Sequence, residues 1–290
     1  MIKSKSTKIG DWIIAVICFF IILICILPLL NVAARSLSDA DSLIRNKVFL
    51  WPKGWNLGAY RRVLNDSKFV RSLQWTAVLT VMGVVLSLIV TTITAYPLVY
   101  ENLKGRKIFN TAIIFTMYFG AGTVPMYLLL KQIGLLNTWP VLLLPYCMSI
   151  FNMIIMRSFF YGIPDSYRES AEIDGAGPIR ILISIYLPLS TSVIATLALF
   201  YAVGRWNSYT DALYFLNSKE EQFFPIQLLL YNLINSLQSF DQAQEVAPTV
   251  GISETLKMAS VMFATIPILC VYPWLQRYFV AGVTLGGEKG

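Results

Sequence analysis

The sequence predicts an all-α integral membrane protein with six transmembrane helices, and three observations predict it. The 290-residue chain is 56% hydrophobic and 13% charged, about half the charged share of a typical soluble domain. Its mean hydropathy is +0.63. Six apolar runs, at about 12–34, 72–99, 108–130, 138–158, 190–214 and 257–280, each approach the ~20 residues a helix needs to cross a ~30 Å hydrocarbon core. The runs are continuously apolar rather than alternating, which selects helices over barrel strands. The whole chain, 1–290, reads as one transmembrane domain.

The first run follows MIKSKSTKIGDW, with its three lysines, and extends from Ile13 to Leu30. A secretory signal has a shorter core and a small-residue cleavage site, so this run is expected to stay as the first span. Prolines within or near the runs (Pro28, Pro97, Pro125, Pro145, Pro267 and Pro273) predict kinks. The short loop ENLKGRK is strongly basic and its counterpart KQIGLLNT is not. With the lysine-rich start, this puts both termini in the cytoplasm, although the raw basic counts of the two sides nearly tie. The stretches 35–71 and 215–256 are the only ones long enough for extramembrane structure. The first holds eight basic residues against Asp39, Asp41 and Asp66, either a field for an acidic partner or ordinary solvated charge.

Several functions are excluded by what the chain lacks. It has no histidine, which removes the commonest general base, zinc ligand and mid-pH proton relay. Cys18, Cys25, Cys147 and Cys270 lie in apolar runs without C-x-x-C spacing, so they read as small core residues and no metal site is expected. The formal charge of +7 is scattered over loops, which argues against a nucleic-acid face. No G-x-x-x-x-G-K-[ST] loop occurs, and the nearest approach, GVTLGG, continues with Glu288. The chain is therefore expected neither to hydrolyse ATP nor to be an enzyme. An ion-coupled sugar carrier would keep acids in its spans, and only Asp211 qualifies.

One polar segment interrupts this pattern between the fourth and fifth runs. In IPDSYRESAEIDGAGP, Pro164 precedes Asp165 and Ser166, and Ser166-x-x-Glu169 has capping-box spacing. Gly175-Ala176-Gly177-Pro178 should end the helix in a sharp bend. A second helical stretch then runs from about Ile179 to Pro188 and the fifth span. Ser170, Ala171, Gly175, Ala176 and Gly177 leave room for another protein to pack closely. From the residues alone, a surface-lying amphipathic helix is an equal alternative.

Glu169-Ser170-Ala171, Gly175 and Ile185-Tyr186-Leu187-Pro188 reproduce the spacing E-A-A-x₃-G-x₉-I-x-L-P, with Ser170 in place of the first alanine. The segment resembles the cytoplasmic signature of ABC importer permeases. VPMYLLLKQIGLLNTWPVLLLPY, FNMIIMRSFFYGIPDSYRESAEIDGAG, ALFYAVGRWNSYTDALYF, FFPIQLLL and RYFVAGVTLGGEKG extend the likeness to the maltose-type carbohydrate-uptake permeases, most of all their polysaccharide and aldouronate branch. The resemblance implies a six-helix permease in a bacterial plasma membrane, paired with a second related permease. It also implies two copies of a cytoplasmic ATP-binding subunit, which hold the ATP and magnesium, and an extracytoplasmic solute-binding protein. Cofactors in this chain are expected to be none. Glu169, Ala171, Asp174 and Gly175 match positions of the coupling helix that docks in the ATPase, and with Ser170 and Ala176 they are the expected coupling residues, with the tail Arg277–Gly290 at the same interface.

The expected cargo contacts lie in the fifth span. Tyr201, Arg205 and Tyr209 share one face at i, i+4, i+8, and Trp206 and Asn207 match a pair that recurs in the family. Aromatic rings suit sugar faces and Arg205 suits a carboxylate. Equally, Arg205 snorkels to the surface and Trp206 belongs to the aromatic belt.

Overall fold

A computed structural model describes residues 5–45, 47–243 and 254–271, and every regular element among them is helical. In chain order these are α1 (Lys5–Ser36), α2 (Ala40–Ile44), α3 (Gly58–Asn65), α4 (Ser67–Ala95), α5 (Arg106–Tyr118), α6 (Thr123–Gln132), α7 (Ile150–Tyr161), α8 (Asp165–Ile173), α9 (Pro178–Ile181), α10 (Leu187–Leu189), α11 (Thr191–Asn207), α12 (Thr210–Phe215), α13 (Ile226–Ala243) and α14 (Glu254–Val271). Short 3-10 turns occupy Pro97–Val99, Trp139–Leu142, Leu144–Tyr146 and Ser218–Phe223, and Leu182–Tyr186 forms a π-turn.

Three helical stretches are long and apolar enough to cross a membrane: Gly10–Ser36, Ser67–Val99 and Glu254–Val271. Three bent pairs bring the number to six if each pair is one span. The chain is a multi-pass membrane protein. The breaks have local causes. The run at 108–130 turns by 114° between α5 and α6, where Gly120 and Gly122 (φ +86°) precede Thr123-Val124-Pro125. The run at 138–158 opens with two 3-10 turns that start around Pro140 and Pro145, then bends 50° into α7. Proline fixes φ and lacks an N–H, so neither turn can join a continuous helix. The run at 190–214 stops at Asn207, and α12 is a separate helix. Helix α13 lies in the stretch read as loop 215–256. Residues 272–280 of the sixth run, and the tail after them, lie outside the described residues.

The chain divides into two compact units, each described by itself. The first contains Met1–Val70 with Leu230–Ile266. Its small core joins Ala34 of α1, Leu43 of α2 and Val48. Ser36 shares a hydrogen bond of 2.8 Å with Tyr60, and Arg35 pairs with Glu254 at the start of α14.

The second contains Arg71–Leu229 and the residues from Pro267. One of its cores collects Leu79, Leu130, Leu142, Phe215 and Leu228. Around it, Ser72 donates to the Phe224 carbonyl, Trp75 Nε1 donates to that of Phe223 at 2.8 Å, and the Ile226 N–H donates to Thr76 Oγ1 at 2.8 Å. The start of α13 is thereby fastened to α4. The other core centres on Tyr96, Phe160 and Tyr186. Their rings meet edge-on, with centroids 5.1 Å (Tyr96–Tyr186), 5.4 Å (Phe160–Tyr186) and 6.3 Å (Tyr96–Phe160) apart, a favoured quadrupole geometry. This node joins the ends of α4 and α7 to the stretch leading into α11. Phe160 is fully buried, so Phe160→Ala should cost about 3–5 kcal/mol. Thermal unfolding of the purified chain should show the loss, with Phe160→Leu closer to wild type.

Candidate functional site

Helix α8 forms the polar segment, and its C-terminus explains the spacing of the signature. Gly175 sits at φ +80°, the left-handed conformation that favours glycine. Its N–H donates to the Glu172 carbonyl at 3.0 Å, and the Ala176 N–H to the Ala171 carbonyl at 2.9 Å. These two bonds make a Schellman motif, with Gly175 as the residue just past the cap. Ala171 and Ala176 close the motif against the aromatic core. The alanine, the glycine four residues on and the next alanine are thus one structural device.

The N-terminus departs from expectation. Pro164 is the cap residue and no side chain caps the helix, so Ser166 lies inside the first turn and no capping box forms. Glu169, Ser170 and Asp174 are exposed, and with them Tyr167 and Ile173, the latter 86% exposed. The outward face therefore mixes acids with bare apolar side chains.

The inward face is fastened at several points. Arg168 lies 5.2 Å from the Tyr100 ring centroid and pairs with Asp165 at 3.1 Å and Glu172 at 3.6 Å. Burial works against its charge, but the Glu172 and Asp165 carboxylates outweigh it and hold the guanidinium above its ordinary pKa. Tyr96 donates to the Pro178 carbonyl at 3.0 Å and shares a hydrogen bond with Tyr100. Pro178–Leu189 then meets α11 at 83°, so it runs almost perpendicular to the fifth span. Arg106 hydrogen-bonds Tyr161, which donates to the Leu98 carbonyl at 2.9 Å. The basic loop around Arg106 and α8 therefore belong to the same end of the unit.

A second candidate site is a cavity of about 880 Å³ beside α11, lined by Tyr146, Ser149, Asn152, Tyr201, Arg205 and Asp211 among others. Tyr201 bonds Thr91 at 2.6 Å and accepts from the Ser149 N–H at 3.2 Å. Arg205 turns inward. It donates to the Leu142 carbonyl and to that of Tyr146 at 3.3 Å, and it pairs with Asp211 at 3.5 Å. Only 9% of the Arg205 side chain and 14% of the Asp211 side chain are exposed. Gly83 of α4 makes room for this, since a Cβ there would come within 3.1 Å of Arg205 Nε. Of the expected cargo contacts, Tyr201 and Arg205 line the cavity, whereas Trp206, Asn207 and Tyr209 do not. The structure ends α11 at Asn207, so the i, i+8 face never reaches Tyr209. That residue packs instead against the core around Leu142 and Phe215, and Asn207 bonds back to the Val203 carbonyl at 2.9 Å.

The family described as binding-protein-dependent transport system inner membrane component matches residues 80–285. The chain belongs to this family. It is a transporter permease, not an enzyme. It is 36% identical to the polygalacturonan/rhamnogalacturonan transport system permease protein YtcP of Bacillus subtilis, over 98% of this chain and 100% of that one. It is 39% identical to protein LplC of the same organism, over 92% of this chain and 90% of that one. A crystal structure of a bacterial ABC transporter involved in the import of the acidic polysaccharide alginate has a chain with a TM-score of 0.85 and 34% identity, covering 96% of this permease and 99% of that chain.

Sequence reasoning missed Asp211 as the partner of Arg205, and Gly83, Leu142 and Tyr146 as its surroundings. The available signal was the cost of an unpaired guanidinium in a span, which asks for an acid within a turn or two. Asp211→Asn and Arg205→Leu should each lower stability in nanodiscs by about 3 kcal/mol, because each strands a mostly buried partner. The double variant should lose clearly less than the sum, as seen by thermal unfolding. In the permease's other site, no atom stands within 4 Å of a Cβ added to Gly175, so the cost there is conformational, about 1–2 kcal/mol. Gly175→Ala should lower uptake per inserted chain and Gly175→Val should lower it further, with membrane insertion unchanged on immunoblots.

Proposed function

We propose that this permease is the membrane-spanning half of an ATP-driven importer of oligosaccharides, with Asp165–Pro188 as the part moved by the engine. The observation that carries this reading is the construction of α8. A short helix carries the family signature, closes with a Schellman motif and is held on its inner face by Arg168 over the Tyr100 ring and by Ala171 against the aromatic core, while the carbonyl of Pro178, just after it, accepts from Tyr96. Its outer face, with Tyr167, Glu169, Ile173 and Asp174, is left to a separate subunit. Glu169, Ser170, Ala171, Asp174, Gly175 and Ala176 form the docking element, and the bend at Gly175–Pro178 transmits its motion to the fifth span as a rigid body. ATP and magnesium belong to that cytoplasmic subunit, present in two copies, because this chain has no phosphate-binding loop. A second permease and an extracytoplasmic solute-binding protein complete the machine, both termini face the cytoplasm, and the membrane is a bacterial plasma membrane.

The cavity beside α11 supports carbohydrate as cargo. Tyr146, Tyr201, Ser149 and Asn152 offer rings, hydroxyls and an amide for pyranose units. Two similar proteins carry acidic polymers in their names, polygalacturonan and alginate, and we take uronate-containing oligosaccharides as the class. Arg205 does not supply the matching charge here, since Asp211 already neutralises it. The carboxylates must find their partners elsewhere, in the binding protein or the second permease. The same ion pair counts against ion coupling, because Asp211 is committed to Arg205.

Proteoliposomes holding the permease pair and the ATPase test this reading. Uptake of uronate oligosaccharides should require both ATP and the binding protein, and ionophores should leave it unchanged. Uptake driven by a proton or sodium gradient without ATP would overturn it.

A further inference from the structure

We infer that the loop 47–57, in the unit built on α1, is an interfacial foot that rests among phospholipid headgroups at the C-terminal end of that helix. This loop carries Phe49, Trp51, Trp55 and Leu57 with 69%, 81%, 74% and 59% of their surface exposed. Four large apolar side chains left bare in eleven residues need a partner.

The loop is built to hold them there. The Lys53 carbonyl accepts from the Asp39 N–H at 3.1 Å and the Asn56 N–H donates to the Leu37 carbonyl at 3.0 Å. The Lys53 N–H donates to Ser38 Oγ at 3.1 Å. Val48 is buried against Ala34 and Leu43. Gly54 turns the chain at φ +62°, where a Cβ would come within 2.6 Å of Asp39. The aromatic rings are presented by a fixed backbone.

Depth identifies the partner. Asn31 is the first polar residue after the apolar run Ile13–Leu30, so it marks the edge of the hydrocarbon. Its side-chain amide donates to the Phe49 carbonyl at 2.6 Å. Ser36, the last residue of α1, stands five residues further out, about 7.5 Å at 1.5 Å per residue. The loop thus folds back along α1 to the hydrocarbon boundary, continuous with the exposed Leu29 and Leu30. The composition fits that depth. Phe49 lies at the boundary, the tryptophans stand outward of it where Lys53 and Asn56 bond to Leu37–Asp39, Lys47 and Lys53 suit phosphates, and no acid occurs from 47 to 57. Lipid explains both the rings and their depth; a sugar platform or a docking protein explains only the rings.

Tryptophan emission of the full-length chain in phospholipid nanodiscs tests the foot. Wild type minus Trp51→Phe/Trp55→Phe isolates the emission of these two residues, and the single variants repeat the reading should the double fail to insert. This component should lose more intensity with lipids brominated near the glycerol than with lipids brominated near the chain ends, and aqueous acrylamide should barely touch it. Strong acrylamide quenching with no effect of brominated lipid would overturn the inference. So would shielding of an acrylamide-accessible signal by added oligosaccharide.

Discussion

A chain that breaks its helices inside a membrane must satisfy the backbone groups released at each break, because lipid cannot. In the unit around α4, α7 and α11, that constraint decides where polar side chains go. Arg205 takes the carbonyls of Leu142 and Tyr146, where the fourth span opens in 3-10 turns. Tyr201 receives the Ser149 N–H at the start of α7. Tyr161 reaches the Leu98 carbonyl and Tyr96 that of Pro178. Ser72, Trp75 and Thr76 do the same for residues 223–226. Residues that resemble a polar lining from the sequence are, first, caps for a broken backbone.

The same constraint places the two candidate sites. Broken spans leave room beside α11, and the capping groups make the walls of that room polar. At the other site, Tyr96 ties the chain at Pro178, just after α8, to the end of α4. Both candidate sites are therefore consequences of one requirement, met at different breaks.

Much of this was legible in the sequence. Hydropathy located the membrane-crossing stretches because their apolar runs are long. Glycine and proline at 175–178 located the bend, because Gly175 needs a conformation other residues resist. The breaks in the third and fourth spans were harder, since an apolar run has the same hydropathy whether straight or folded by 114°. Helix α13 was missed because IQLLLYNLINSL follows a turn-rich segment and was absorbed into it, although its apolar spacing was visible. Tyr209 was misplaced by extending a helical face past Asn207, where the helix ends. The pairing of Arg205 with Asp211 depends on that ending too, because a separate α12 brings the acid back toward the guanidinium.

Asp165–Pro188, the segment proposed to couple transport to ATP hydrolysis, is fastened to the end of α4 through the hydroxyl of Tyr96. Tyr96→Phe keeps the ring and its packing and removes only the bridge to Pro178 and Tyr100. In reconstituted transporter, loss of this fastening should leave assembly normal but give ATP hydrolysis that no longer rises with cargo-loaded binding protein, and less cargo moved per ATP. Wild-type stimulation and stoichiometry in that variant would contradict it.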